Sequence, residues 1–166
     1  APSITGNGQL VIGNLIFGTA IDGTGTTKSS GNIGIGDSSP EAKLKVNGDL
    51  MVSETFVYDA VYSVTSATTL AVDWNNGNKQ TVTLAHTVTD VNFTDPIGPG
   101  NFSLKIVQDG TGSRLINSAA WSGESTYWPS GTAPTLSTAA NAIDVITCFF
   151  DGTNYFCQMG SDFQNI

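Results

Sequence analysis

Apolar and polar side chains alternate with a period of two through much of the chain beyond residue 55, which is the pattern of strands with one buried face. Leu70, Val72 and Trp74 alternate with polar neighbours, and Val82 and Leu84 do so again within Thr81-Val-Thr-Leu84. Asn76-Gly77 lies between the two runs and is a strong turn pair, so together they predict a β-hairpin. Val88, Val91 and Phe93 follow, then a long turn at Asp95-Pro96-Ile-Gly-Pro-Gly100. Phe102, Leu104 and Ile106 share one face of the next strand, with Ser103 and Lys105 on the other. Asp109-Gly-Thr-Gly112 turns into Ser113-Arg-Leu-Ile116. The last pair, Ala142 to Phe150 and Tyr155 to Gly160 around Asp151-Gly-Thr-Asn154, is apolar on both faces and predicts a central position. About eight evenly spaced strands with many turn signals predict an antiparallel β-sandwich, jelly-roll-like.

The first third has a different texture, and the chain divides into segments 1–54 and 55–166. Gln9 to Phe17 predicts a strand pair broken by Gly13-Asn14, and Asp22-Gly-Thr-Gly25 is a turn cluster. Gly31, Gly34, Gly36 and Pro40 exclude a regular helix over 31–40 and predict a tight loop. Lys43-Leu44-Lys45-Val46 is a short strand with one wet face, and Asn47-Gly48 turns out of it into another strand. A segment of roughly 50 residues built this way buries too little apolar surface to offset its chain entropy. Self-association is the simplest remedy: copies wound together would hide Leu10, Ile12, Ile33, Ile35, Leu44 and Val46. The expected architecture is all-β, an intertwined N-terminal strand segment followed by the sandwich.

Composition narrows the function. Of 166 residues 39% are hydrophobic and only 12% charged, enough for one core. The net charge of −8 with six basic residues leaves no basic stripe for nucleic acid, and opposes anionic membranes and polyanionic glycans. No run approaches the roughly 20 apolar residues that span a bilayer, and the start lacks a secretory signal pattern. Ala1-Pro2-Ser3 reads equally as a start exposed by removal of an initiator Met and as the end of a fragment.

Catalytic chemistry finds little to use. His86 is the only histidine and sits at a strand end, where a surface role outweighs a catalytic one. Glu41, Glu54 and Glu124 are widely spaced, and no pair of carboxylates is flanked by the aromatic cleft that glycan cleavage needs. Trp121, Tyr127 and Trp128 cluster beside Glu124 in a loop, and this is the receptor-binding candidate, by sugar stacking; the alternative is that both tryptophans cap the core. The Asp-Gly-Thr-Gly segments read as turns rather than calcium loops. Two thiols and one distant histidine make zinc a poor fit, and no cofactor is expected. Counting outward from a two-residue turn at Gly152-Thr153 places Cys148 opposite Cys157 in a non-hydrogen-bonded pair, where a cross-strand disulfide is geometrically allowed.

Residues 31 to 48, Gly-Asn-Ile-Gly-Ile-Gly-Asp-Ser-Ser-Pro-Glu-Ala-Lys-Leu-Lys-Val-Asn-Gly, resemble a connector that recurs in tail fibres and other external proteins of bacteriophages. Residues 58 to 163 resemble a domain found near the C-terminus of phage tail-fibre and virion-associated proteins. Its landmarks are Asp73-Trp74-Asn75-Asn76-Gly77, Leu104-Lys-Ile-Val-Gln-Asp109, Trp128-Pro-Ser-Gly-Thr-Ala-Pro-Thr-Leu136 and Asp144-Val-Ile-Thr-Cys-Phe-Phe-Asp-Gly-Thr-Asn-Tyr155. The resemblance implies a non-enzymatic structural protein on the outer surface of a phage particle, assembled in the host cytoplasm, with no catalytic residues to carry over. It implies a homotrimer, because fibres with this connector are commonly trimeric. The implied role is a tail-fibre projection in host attachment, touching capsid or tail proteins and a host-surface glycan; the alternative is a capsid decoration protein. Assembly in a reducing cytosol favours free thiols at Cys148 and Cys157.

Overall fold

The structure is a computed structural model, and it describes residues 10–13, 15–24 and 26–164. Gln9, Asn14 and Gly25, named above in the first strand pair and its turn cluster, lie outside the described residues, as does the side chain of Leu10. The chain forms two compact units, 1–56 and 57–166.

Among its described residues the first unit forms one sheet of four three-residue strands, β1 (Leu10–Ile12), β2 (Ile16–Gly18), β3 (Ile33–Ile35) and β4 (Leu44–Val46), in that order. β1–β2 and β2–β3 are antiparallel and β3–β4 is parallel. The loop expected over 31–40 therefore contains a strand. Gly34 is what permits it: a Cβ at that position would collide with the carbonyl oxygen of Asp37, where the chain doubles back. Asp37 then fixes the return, accepting from the Ser39 N–H at 2.7 Å and pairing with Lys45 of β4 at 2.9 Å. Asn47-Gly48 is a bend whose Asn47 N–H donates to the Ile35 carbonyl. No strand leaves it before residue 62, contrary to the expected turn between two strands.

The second unit holds eight strands. These are β5 (Tyr62–Ser63), β6 (Thr69–Asp73), β7 (Lys79–Leu84), β8 (Asp90–Thr94), β9 (Gly100–Gln108), β10 (Thr126–Tyr127), β11 (Ile143–Phe150) and β12 (Tyr155–Gly160). A six-stranded sheet runs β10-β12-β11-β9-β7-β5, and β6 and β8 pair separately with each other. The pairings depart from the antiparallel expectation. β5–β7, β7–β9, β6–β8 and β10–β12 are parallel, and only β9–β11 and β11–β12 are antiparallel. From β5 to β9 the chain alternates between the two sheets and returns each time in the same direction, so it winds as a coil. Register partners one turn apart are Tyr62 and Gln80, Thr69 and Asp90, and Gln80 and Leu104.

The predicted hairpin around Asn76-Gly77 is therefore a corner between sheets. Asp73 accepts from the Asn75 N–H at 2.9 Å and caps a single 3-10 turn over Trp74–Asn76. Gly77, at φ 129°, ends that turn with a backbone most side chains resist. Gln80, 1% exposed, then donates from Nε2 to the carbonyls of Asp73 and Gly77 at 2.6 and 2.8 Å, so the corner is held from inside. Leu70 and Val72 of β6, Val91 of β8, Val82 and Leu84 of β7, and Leu104 and Ile106 of β9 belong to one buried cluster. A hairpin and a corner both alternate inward and outward residues, which is why the pattern alone did not separate them.

β11 lies between β9 and β12, with Asp144, Ile146, Cys148 and Phe150 facing the core. Its other face is only partly covered: Ile143, Val145 and Thr147 are half-buried, Phe149 is 49% exposed and Phe156 of β12 is 45% exposed. Burial on both faces, expected for this pair, is not what the structure has. Among the described residues no helix is long and apolar enough to cross a membrane.

Candidate functional site

Two surfaces carry the residues singled out by sequence. The first is a face of the N-terminal sheet. Its register aligns Leu10, Gly18, Ile33 and Leu44 in one row and Ile12, Ile16, Ile35 and Val46 in another. The intervening row, with Phe17, Gly34 and Lys45, belongs to the opposite face by strand alternation. All six residues expected at a subunit interface thus fall in two rows of the same parity. Ile12, Ile33 and Leu44 are about half exposed, at 48%, 49% and 56%, and Ile35 and Val46 are half-buried. No Val, Leu, Ile, Met or Phe side chain described in this unit is buried; only Gly18, Gly34 and Pro40 are.

The energetic consequence follows from two magnitudes. Backbone ordering costs about 1–2 kcal/mol per residue, while full burial of an aliphatic side chain contributes about 1.5–3 kcal/mol. Among the described residues of the unit, half-exposed aliphatics on such short strands fall short of the cost of ordering the backbone. Leu50, Met51, Val52 and Val61, between β4 and β5, are also exposed, Met51 at 92%.

The second surface is the loop around residue 124. Trp121 is 4% exposed and packs edge-on against Phe93 at 6.1 Å and Trp128 at 5.1 Å. Trp121 is thus part of the core, as in the alternative weighed for it, and Trp128 is half-buried against it. Neither indole N–H has a hydrogen-bond acceptor. Glu124 is turned inward: its Oε1 accepts from the Phe93 N–H at 2.8 Å. Burial pushes its carboxyl above the ordinary carboxylate value, with Asp95 and Asp90 adding to the rise and the Phe93 bond opposing it. Beside it the Tyr155 hydroxyl donates to Asp95 at 2.8 Å, and burial holds that phenol far above its usual value. Of the four candidate residues, Tyr127 alone is exposed, at 56%.

The other residues singled out by sequence make local contacts. His86 is exposed, with Nδ1 3.4 Å from Ser66 Oγ. Asp22 accepts from the N–H and hydroxyl of Ser30, and Asp109 accepts from the N–H groups of Thr111 and Gly112 and pairs with Arg114 at 2.8 Å. These Asp-Gly carboxylates are occupied by their own turns. Among the described residues no group of three or more His, Cys, Asp or Glu could hold a metal ion.

Cys148 and Cys157 are register partners and are joined by a disulfide. Gly152, at φ 104°, supplies the positive φ that the two-residue turn needs, and Asp151 accepts from the N–H groups of Thr153 and Asn154. Sequence reasoning missed the buried glutamines Gln80 and Gln108, whose only signal was a polar residue at an inward strand position. It also missed the exposed aromatic row of β11 and β12. No family model, curated protein or solved structure matches the chain.

Proposed function

We propose that the protein is a non-enzymatic structural component of a bacteriophage particle, an external projection that assembles as a homotrimer and contributes to attachment at the host surface. The single observation that carries the assembly is the first unit's sheet, which has Ile and Leu side chains in both outer rows of one face and, among the described residues, no buried Val, Leu, Ile, Met or Phe side chain. Packing that face against sister copies would remove the half-exposed Ile12, Ile33 and Leu44 from water. The phage assignment and the number three come from the likeness of residues 31–48 and 58–163 to fibre proteins. The second unit has its own core.

Capsid decoration is the competing role, and it uses the same trimer with the first unit clamped on the shell. Labelling intact particles with antibody and imaging them by electron microscopy decides between them. A few copies at the tail support the fibre, and hundreds over the head support decoration. Absence from the particle overturns both.

A further inference from the structure

The outer face of the six-stranded sheet carries an ordered arrangement of side chains unrelated to the core. Its register aligns Asn101, Phe149, Phe156 and Tyr127 in one row across β9, β11, β12 and β10. The next row is Lys79, Ser103, Thr147 and Gln158, across β7, β9, β11 and β12. In the first row the rings lie nearly parallel: Tyr127 and Phe156 are 5.2 Å apart at 20°, and Phe156 and Phe149 are 6.3 Å apart at 25°. All three rings are about half exposed. The two rows floor an open groove of about 650 Å³, to which Trp128 and Pro129 also contribute. Cys148 and Cys157 bond directly beneath it and tie β11 to β12.

We infer that this groove binds an oligosaccharide bearing anionic groups. A sugar ring has an apolar C–H face and a rim of hydroxyls, and here an aromatic row lies one residue pair from a row of amides and hydroxyls. The side chains of Asn101, Thr147 and Gln158 make no hydrogen bond within the protein, so their donors and acceptors are available. A purely apolar protein surface would strand those groups. A peptide strand needs an open sheet edge, whereas β9, β11 and β12 each have neighbours on both sides. Charge selects further: the chain has 14 acidic and six basic residues, yet no carboxylate lines the groove. Lys79 stands in it, 3.0 Å from Ser103 Oγ, and Lys105 occupies the adjoining row opposite Thr81. The inference stands on the second unit alone and fails separately from the virion reading.

The test is binding of the full-length protein to an array of neutral, uronate-containing and phosphate-containing oligosaccharides, with inorganic polyphosphate as a non-sugar control. Acidic oligosaccharides are expected to bind. Phe156→Ala should weaken them about tenfold, the scale of one aromatic contact. Lys79→Gln should remove the preference over neutral sugars. Asn101→Ala and Gln158→Ala, both at exposed positions, guard against a Phe156 variant that fails to fold and should also weaken binding. Failure of every oligosaccharide to bind, binding indifferent to all four substitutions, or equal capture of polyphosphate would overturn the inference.

Discussion

Gln108→Leu tests how the coil is held together. Gln108 is 2% exposed and ends β9. Its Nε2 donates to the carbonyls of Arg114 and Ser137 at 2.8 and 2.9 Å, and its Oε1 accepts from the Arg114 N–H at 2.9 Å. One side chain thus serves three backbone groups on two loop segments. Leucine keeps most of the apolar volume and strands all three. A hydrogen bond contributes about 1 kcal/mol net, and a buried group left unpaired costs about 1–3 kcal/mol. Water can reach the Arg114 segment, whose side chain is 30% exposed, which moves the expected loss to about 2–4 kcal/mol. Against a domain stability of about 5–15 kcal/mol that is a large fraction. The assay is urea unfolding of the full chain at fixed concentration by tryptophan fluorescence, since Trp74, Trp121 and Trp128 all lie in the second unit. The midpoint should fall with an unchanged slope. Gln158→Leu, on the exposed face of β12, should stay within about 0.5 kcal/mol of the parent. A Gln108→Leu loss as small as that control would refute the internal-clamp reasoning.

Glu124→Gln should raise the melting temperature at pH 7, because the amide oxygen can still accept from Phe93 while the buried charge disappears. A raised carboxyl binds more protons folded than unfolded, so the wild type loses stability as pH rises through the shifted value, and the gap between the two proteins should close toward pH ~4. An equal gap at both pH values would show that the charge is not responsible. Leu44→Asp should weaken self-association about a hundredfold or more by burying a charge, leaving the second unit's fluorescence unchanged; analytical ultracentrifugation reads this, and an unaltered mass would remove the face from the interface. Reducing the Cys148–Cys157 bond, which closes a sequence separation of 9, should cost at most about 2.5 kcal/mol on the chain-entropy estimate. The fold should survive reduction, because both sulfurs remain packed in the core at 4% exposure; collapse of the urea transition would contradict this.

Strand existence was legible from periodicity because alternation reports which side of a strand is dry. Leu70 and Val72, and Phe102, Leu104 and Ile106, face the core as their spacing implies, whereas the all-apolar run in β11 concealed that only Ile146, Cys148 and Phe150 point inward there and Phe149 points out. Partner choice was not legible. Val72 and Val82 point into the same core from different sheets, and that gives the same pattern as a hairpin. The discriminating feature is Gln80, a buried amide that serves corner carbonyls and looks in sequence like one more polar strand residue. The short strand Ile33-Gly34-Ile35 was hidden by its glycines, whose loop propensity gave way to the close approach of Asp37. The aromatic loop was only partly legible: Trp121 is buried in the core with Trp128 packed against it, while Tyr127 is exposed and stacks on Phe156 of β12.

Everything proposed about assembly depends on whether the N-terminal sheet can exist alone. Sedimentation equilibrium of the intact protein at submicromolar concentration measures this directly. The account predicts a species of three times the 17.3 kDa chain mass, persisting on dilution. A folded species at the mass of a single chain would contradict it.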